Sequence, residues 1–501
     1  MWANSICSRA DVDTSLLIPL VLLVPAAGAG LCLLMPSARS VLGVLCITVL
    51  VTSLSGVCLT AQVFDRGPAS SAGDWLFIDA LSAYHLLLLA VVFVFSTIFA
   101  IQYFGSHHIL DRTAARRFGA LWSGSLAAMT LVLLSNHLGL MWVGIESTTL
   151  VTTFLIGLHR SRESIEATWK YLIICSVGIA IAFMGTLLVG ASATRAFANH
   201  SDAMLWTRLR ESAHLLNPAA LKIGFVFLLV GYGTKVGLAP MHTWLPDAHS
   251  QAPAPVSAIF SGVMLNTALY CIMRYVPVVE TATGGIGWSL RLLSLFGLVS
   301  MVVAAAFILF QRDAKRMLAY CSVEHLGIIT LGLGLGGVGT LAAMFHSANH
   351  SLGKTVGFFC AGRLGQIYGT HEIRALRGTL RRSPLWGGGL LLAIMGLIGV
   401  VPSGTFMSEL LVAKGALEIR SVVVLLVFLL AAGTVFIGMF GHAVAMAWGD
   451  PHRSERTEPT SLVDRALVVV PLALLACLGL WMPDPLRDML EQAARIVRPL
   501  P

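Results

Sequence analysis

Long apolar runs follow one another from end to end of this chain, each closed by a short cluster rich in arginine, glycine or proline. Runs of that length match the hydrocarbon core of a bilayer, so the pattern predicts an all-α integral membrane protein with about fourteen transmembrane helices. The spans fall near 15–35, 41–64, 81–104, 118–134, 137–158, 170–192, 219–239, 254–276, 288–310, 317–336, 340–366, 385–410, 421–447 and 463–482. Two of them are interrupted. Span seven breaks at Leu238–Pro240, and span twelve breaks at Val401–Gly404 around Pro402. Five spans separate the breaks, an odd step, so the two discontinuous helices run in opposite senses, as an inverted repeat of roughly five helices predicts. The expected organisation is residues 1–117 for spans one to three, 118–277 for a first repeat (spans four to eight), 278–447 for a second (spans nine to thirteen), and 448–501 for a charged loop and the final span.

Composition agrees with this pattern. Of 501 residues, 56% are hydrophobic and only 12% charged, about half the charge of a soluble domain; the mean hydropathy is +0.82. The first apolar run lacks a small-residue cleavage site and is followed by many others, so it reads as a span and not as a removed signal. The net charge of +8 comes from arginines in short loops, which topology explains better than nucleic acid does. Loops after odd-numbered spans hold Arg112, Arg116, Arg117, Arg160, Arg162, Arg312, Lys315, Arg316, Arg374, Arg377, Arg381, Arg382, Arg453 and Arg456. Loops after even-numbered spans are poorer, with Arg195, Arg208, Arg210 and Lys222 as the main cluster. The positive-inside rule then places the odd loops in the cytoplasm and both termini outside. Nine cysteines are scattered singly, without the close spacing of a zinc, iron–sulfur or haem site. The chain is expected to carry no cofactor of its own.

The chemistry lies in the charges inside the spans. Glu146 sits in the middle of span five, Lys235 and His242 flank the break at Pro240, Glu324 and His325 lie about two turns into span ten, and Glu409 and Lys414 follow the break at Pro402. His346, His350 and Lys354 step by four along span eleven and share one face, with a drift of about 40° per step. Each charge costs about 2.5–3.5 kcal/mol in hydrocarbon on insertion scales, so each is expected to face the bundle interior near a partner. A buried ion pair by itself can simply hold helices together, and a lone membrane histidine often only packs. Acids, lysines and a histidine row near both breaks favour a proton relay. Burial favours the neutral form of a lysine or a carboxyl, and mutual attraction favours the charged form. Two charges about 7 Å apart at an effective dielectric of about 20 couple by roughly 2.4 kcal/mol, enough for a neighbouring charge to switch proton release.

Other signals carry less. Glu166 and Lys170 form an i,i+4 pair entering span six, expected to be an interfacial salt bridge. Gly332–Gly337 has dinucleotide-fingerprint spacing but closes a membrane helix and follows no strand, which excludes that use. The loop Gly449–Pro459 reads as a solvated charged segment.

The segments GTKVGLAPMHTWLPDAHSQAPAPVSA (Gly233–Ala258) and RDAKRMLAYCSVEHLGI (Arg312–Ile328) resemble the antiporter-like proton-channel subunits shared by respiratory complex I, Mrp antiporters and membrane-bound hydrogenases. Within that family HSQAPAPVSA, SIEATWKYL and SVEH look most like component F of the hydrogenase-4 and formate hydrogenlyase type. The resemblance covers about residues 70 to 445. It implies that Glu146 is the essential glutamate of span five, Lys235 its partner lysine, His346, His350 and Lys354 the central relay, and Glu409 the terminal acid. It also implies a prokaryotic plasma membrane, a companion membrane subunit, a nickel–iron hydrogenase-like subunit and iron–sulfur proteins, whose Ni-Fe and Fe-S centres lie in those partners. One departure stands out. Many members carry a lysine in span eight where this chain has Asn266, so the central wire here depends on water held by Asn266 and the histidines.

The expected function is proton translocation coupled to redox chemistry in partner subunits, with no redox centre in this chain. Two other functions fit the same residues: an Mrp-type secondary cation/proton antiporter subunit, and a non-conducting membrane scaffold. Sequence leaves open the ion, the electron donor and acceptor, and the full subunit composition.

Overall fold

A computed structural model of the chain describes residues 14–106, 111–158, 161–194, 196–197, 201–448 and 459–498. Arg160, Arg195, Arg453, Arg456 and most of the loop at 449–459, all named above, lie outside the described residues, as does one of the nine cysteines, Cys7.

The main helices are α1 (Thr14–Leu34), α2 (Ala38–Arg66), α3 (Ala80–Ser106), α4 (Arg112–Leu134), α5 (Leu138–Ile156), α6 (Arg162–Ser192), α7 (Pro218–Val236), α8 (Ala254–Ala282), α9 (Trp288–Ile308), α10 (Ala314–Leu335), α11 (Gly337–Tyr368), α12 (Pro384–Leu397), α13 (Gly404–Glu418), α14 (Val422–Trp448), α15 (Leu462–Leu480) and α16 (Asp484–Val497). Among the described residues twelve helices are long and apolar enough to cross a membrane, counting α7 with the short helix beyond its break as Pro218–Gln251. The polar α11 and the divided pair α12 and α13 stand outside that count. Several helices begin earlier than the apolar runs do. Their starts are fixed by polar caps: Asp111 accepts from the Ala114 amide at 2.6 Å, Ser161 from Ser164 at 3.0 Å, and Asp313 from Arg316 at 2.8 Å. A satisfied amide extends the helix through charged residues that hydropathy assigns to loops.

Both expected interruptions are present. α7 ends at Gly237, a left-handed cap with φ of +83°, and the chain continues through Met241–Thr243 into a short helix, Trp244–Gln251. α12 and α13 are separated by residues 398–403, and the Ala239–Pro240 and Val401–Pro402 peptide bonds are both cis. α8 contains a π-turn at Phe260–Met264.

Burial sorts the helices. The apolar window of α8 is wholly buried and that of α10 is 94% buried, whereas α14 is 22% buried and exposes Leu430 and Ile437 where lipid would lie. Polar residues are therefore tolerated on α8, α10 and α11, which face protein on all sides. Close backbone approaches set the helix pairs: a Cβ at Gly231 on α7 would run into the Ala182 amide on α6, and one at Gly297 on α9 would lie 2.6 Å from the Leu331 amide on α10. Only glycine permits such contact.

The loops gather on two opposite faces. On one, a hairpin pairs Ala69–Ser71 antiparallel with Leu76–Ile78, and isolated bridges join Leu76 to Ser135 and His137 to Leu205. α16, not anticipated from sequence as a separate element, lies across this face. It buries Leu490, Ala493, Ala494 and Val497 on one stripe, and Arg498 donates to the Gly337 carbonyl at 3.0 Å. On the other face, Asp313 bridges Glu372, and Lys170 and Arg316 converge on Asp247 at 3.1 and 2.8 Å. The expected pair of Glu166 and Lys170 is also there, at 2.6 Å and exposed.

Candidate functional site

The break in α7 leaves Lys235 in its last turn, fully buried. Its ammonium donates to Thr149 Oγ1 at 3.0 Å and to Tyr171 Oη at 2.5 Å, and lies 4.6 Å from the Tyr171 ring centroid. Tyr171 is in turn paired with Thr152 at 2.6 Å. Glu146 stands nearby on α5, half-buried, with Oε1 accepting from Ser176 at 3.0 Å and Oε2 buried without a protein partner. No ion pair within 4.0 Å joins Glu146 to Lys235 among the described residues. Hydroxyls solvate the ammonium directly.

The second cluster forms where α10, α11 and α13 meet. His346, His350 and Lys354 share one fully buried face of α11, and His325 faces them from α10. His325 Nδ1 meets His346 Nε2 at 2.7 Å, and His346 Nδ1 meets Ser408 Oγ at 2.9 Å. The His350 ring lies 5.3 Å from His325, and both its nitrogens lack protein partners. Lys354 donates to the Leu318 carbonyl at 2.8 Å. Glu324 is buried beside it, and its carboxylate, Cys321 Sγ and a His325 nitrogen lie within 4.8 Å of one another. The lysine beside this trio disfavours a further cation there. Ser408 ties the helix after the second break to the histidine row. Glu409 follows it, half-buried against Gly399, where a Cβ would come 2.5 Å from Oε2.

The structure brings some expected residues together and separates others. His325, His346 and His350 form one contact group with Lys354 and Glu324 beside it. Asn266 reaches the same helix, donating to the Gly262 carbonyl (3.0 Å) and to Ser351 Oγ (3.1 Å). His242 stands apart from Lys235, against the Phe307 and Tyr320 rings at 6.4 and 6.2 Å. Two expectations need correction. Lys414 does not face the interior: its side chain is 61% exposed near the end of α13, within 4.0 Å of Glu418, because the helix has reached the boundary beyond Glu409 and a lysine there can extend to water. Lys315 is not a loop charge. It is buried and donates to the carbonyls of Ser250 (2.9 Å) and Ala252, closing the end of the Trp244–Gln251 helix.

Two groups were missed from sequence. His249 is fully buried between the two clusters, stacked on Phe358 at 5.4 Å, with both nitrogens free of protein partners; its place after a broken helix was the available signal. Arg274 makes a fork with Asp79 at 2.6 and 2.7 Å, the two side chains 3% and 5% exposed. Burial works against the Asp79 charge, but the Arg274 guanidinium outweighs it and holds the carboxyl below its usual range. An arginine inside an apolar helix pointed to such a partner; nothing local named Asp79.

This broken-helix scaffold with two buried clusters defines a membrane subunit of the proton- or ion-translocating kind. Residues 135–436 match the family described as NADH:quinone oxidoreductase/Mrp antiporter, TM, and the chain belongs to that family. It is 40% identical over 349 residues to the hydrogenase-4 component F homolog of Methylacidiphilum infernorum (isolate V4), covering 69% of this chain and 73% of that one. It is 30% identical over 439 residues to NADH-quinone oxidoreductase subunit N of Desulforudis audaxviator (strain MP104C), covering 84% and 85%. Among solved structures, a chain of the membrane-bound sulfane sulfur reductase, an archaeal respiratory membrane complex, superposes with a TM-score of 0.86 at 23% identity, covering 96% of this chain and 98% of that one. That likeness is one of fold.

Proposed function

We propose that this chain is the proton-translocating membrane subunit of a hydrogenase-like oxidoreductase complex, moving protons through its buried lysine, glutamate and histidine side chains. The observation that carries the reading is the contact line Ser408–His346–His325 beside His350, Lys354 and Glu324. Along it, titratable groups run from the second helix break into the bundle centre. Lys235, held by Thr149 and Tyr171 at the first break, is the matching station on the other side, and Glu146 is the charge that biases it. Burying so many ionisable groups is costly unless they are used. The similarity to a hydrogenase-4 component F homolog supports the hydrogenase branch. Within this reading the Ni-Fe and Fe-S centres belong to partner subunits, the membrane is a prokaryotic plasma membrane, and both termini lie outside.

The test is proton uptake by native membrane vesicles during turnover of the assembled complex, comparing wild type with Lys235→Met and Glu146→Gln. Loss of uptake in both variants is expected. Unchanged uptake in both, with the complex intact, removes the relay assignment. Sodium-dependent proton efflux without electron transfer would instead place the chain with the antiporters.

A further inference from the structure

We infer that a second polar route leaves the central row toward the face that carries the hairpin and α16, and that Tyr84 and His85 pass protons along it to an outlet at Asp79 and Arg274; this rests on the translocation reading above. The route begins on α11, where Ser347 and Ser351 follow His346 and His350 by one residue each, about 100° round the helix. Ser351 Oγ donates to the Gly262 carbonyl at 2.6 Å, which also receives Asn266. Gly262 lies inside the π-turn of α8, a wide turn that can direct a carbonyl away from the helix ladder. One turn toward the hairpin face, Ser347 Oγ pairs with Tyr84 Oη at 2.7 Å.

His85 stands between Tyr84 and Tyr270, with ring centroids at 5.0 and 5.3 Å. It is 3% exposed. Its Nδ1 meets the Leu81 carbonyl at 2.9 Å. A carbonyl only accepts, so Nδ1 carries the proton and Nε2 of the neutral ring is left as a base. Nε2 is buried and has no protein partner, and neither has Asn266 Oδ1. Beyond His85 the contacts run from Tyr270 Oη to Ser82 Oγ (2.9 Å), from Arg274 Nη2 to Ser82 Oγ (2.6 Å), and from Arg274 to Asp79. Asp79 lines a pocket of about 290 Å³ on this face, with Arg210 and Arg495 at its wall. His85 takes up a proton at Nε2 and gives it up from the same nitrogen, Nδ1 keeping its own on the Leu81 carbonyl. Tyr270 releases its hydroxyl proton as it accepts that one, water of the Asp79 pocket receives it, and the Arg274 guanidinium stays protonated throughout and only positions the carboxylate.

Hydroxyls alone could serve only to tie α3, α8 and α11 together. A buried imidazole with its basic nitrogen open, between two hydroxyl segments that end at a surface pocket, is what a tie does not need. The experiment measures protons moved per electron in native vesicles for His85→Phe and Tyr84→Phe, with Lys235→Met alongside. The outlet predicts that His85→Phe lowers the ratio at least about tenfold, below even the low end of what a positioned acid–base group contributes, and that Tyr84→Phe, which loses only a hydroxyl, lowers it too. A wild-type ratio in both assembled variants overturns the outlet. If His85→Phe does not assemble, the Tyr84→Phe ratio decides alone. A normal ratio in Lys235→Met would instead remove the translocation reading, so the two failures are separate.

Discussion

Replacing Asp79 by asparagine leaves the Arg274 guanidinium charged at 3% exposure, with the Ser82 and Tyr270 hydroxyls and the face of the Trp206 ring beside it but no counter-charge in the fork. The two charge centres of the fork lie about 4 Å apart, which at an effective dielectric of about 20 is roughly 4 kcal/mol of attraction. Breaking a buried pair by removing one member typically costs about 3–5 kcal/mol, for the same reason. Asparagine can still cap α3 as Asp79 does through the amides of Leu81 and Ser82, so the loss falls on the pair and not on the helix start. Replacing both residues, Asp79→Asn with Arg274→Met, removes the stranded charge and fills most of its volume, and such exchanges are often close to neutral. The assay is the thermal midpoint of monodisperse protein in detergent, read by size-exclusion fluorescence for wild type, both single variants and the double. Both singles are expected well below wild type, and the double above Asp79→Asn. A double variant at or below the lower single, or an Asp79→Asn protein with the wild-type midpoint, would refute the claim that an uncompensated buried charge is the penalty.

Two further expectations concern the opposite face. Burial, with Lys315 nearby, pushes the imidazole of His371 down to about 3, so the folded chain binds fewer protons there than the unfolded chain below about pH 6.5. Its contribution is complete above about pH 6.5 and is lost as pH falls toward 3, by at most about 1.4 kcal/mol for each pH unit. His371→Gln should flatten the fall of the detergent midpoint across that window, and an unchanged slope would count against it. The Glu166–Lys170 pair is close but exposed on both sides, so water and salt screen it. Glu166→Gln should leave the midpoint unchanged, and a clear drop would mean that this pair anchors the face.

Hydropathy is a property of consecutive residues, so the all-helical membrane character, both helix breaks and the histidine row of α11 were legible from order alone. The bilayer makes each ionisable group in an apolar run conspicuous, which is why Glu146, Lys235, Glu324 and Lys354 stood out. What those groups touch was not legible. Thr149 lies 86 residues from Lys235, and Asp79 lies 195 residues from Arg274, and no local pattern encodes such distances. The side a lysine takes was equally hidden: Lys315 turned inward because the end of a broken helix offered it carbonyls, and Lys414 turned outward because its helix was ending. The sequence by itself determined which residues must be shielded from lipid, since that follows from their chemistry. Only the tertiary structure decided which partners shield them, since that depends on helices packing side by side across the bilayer.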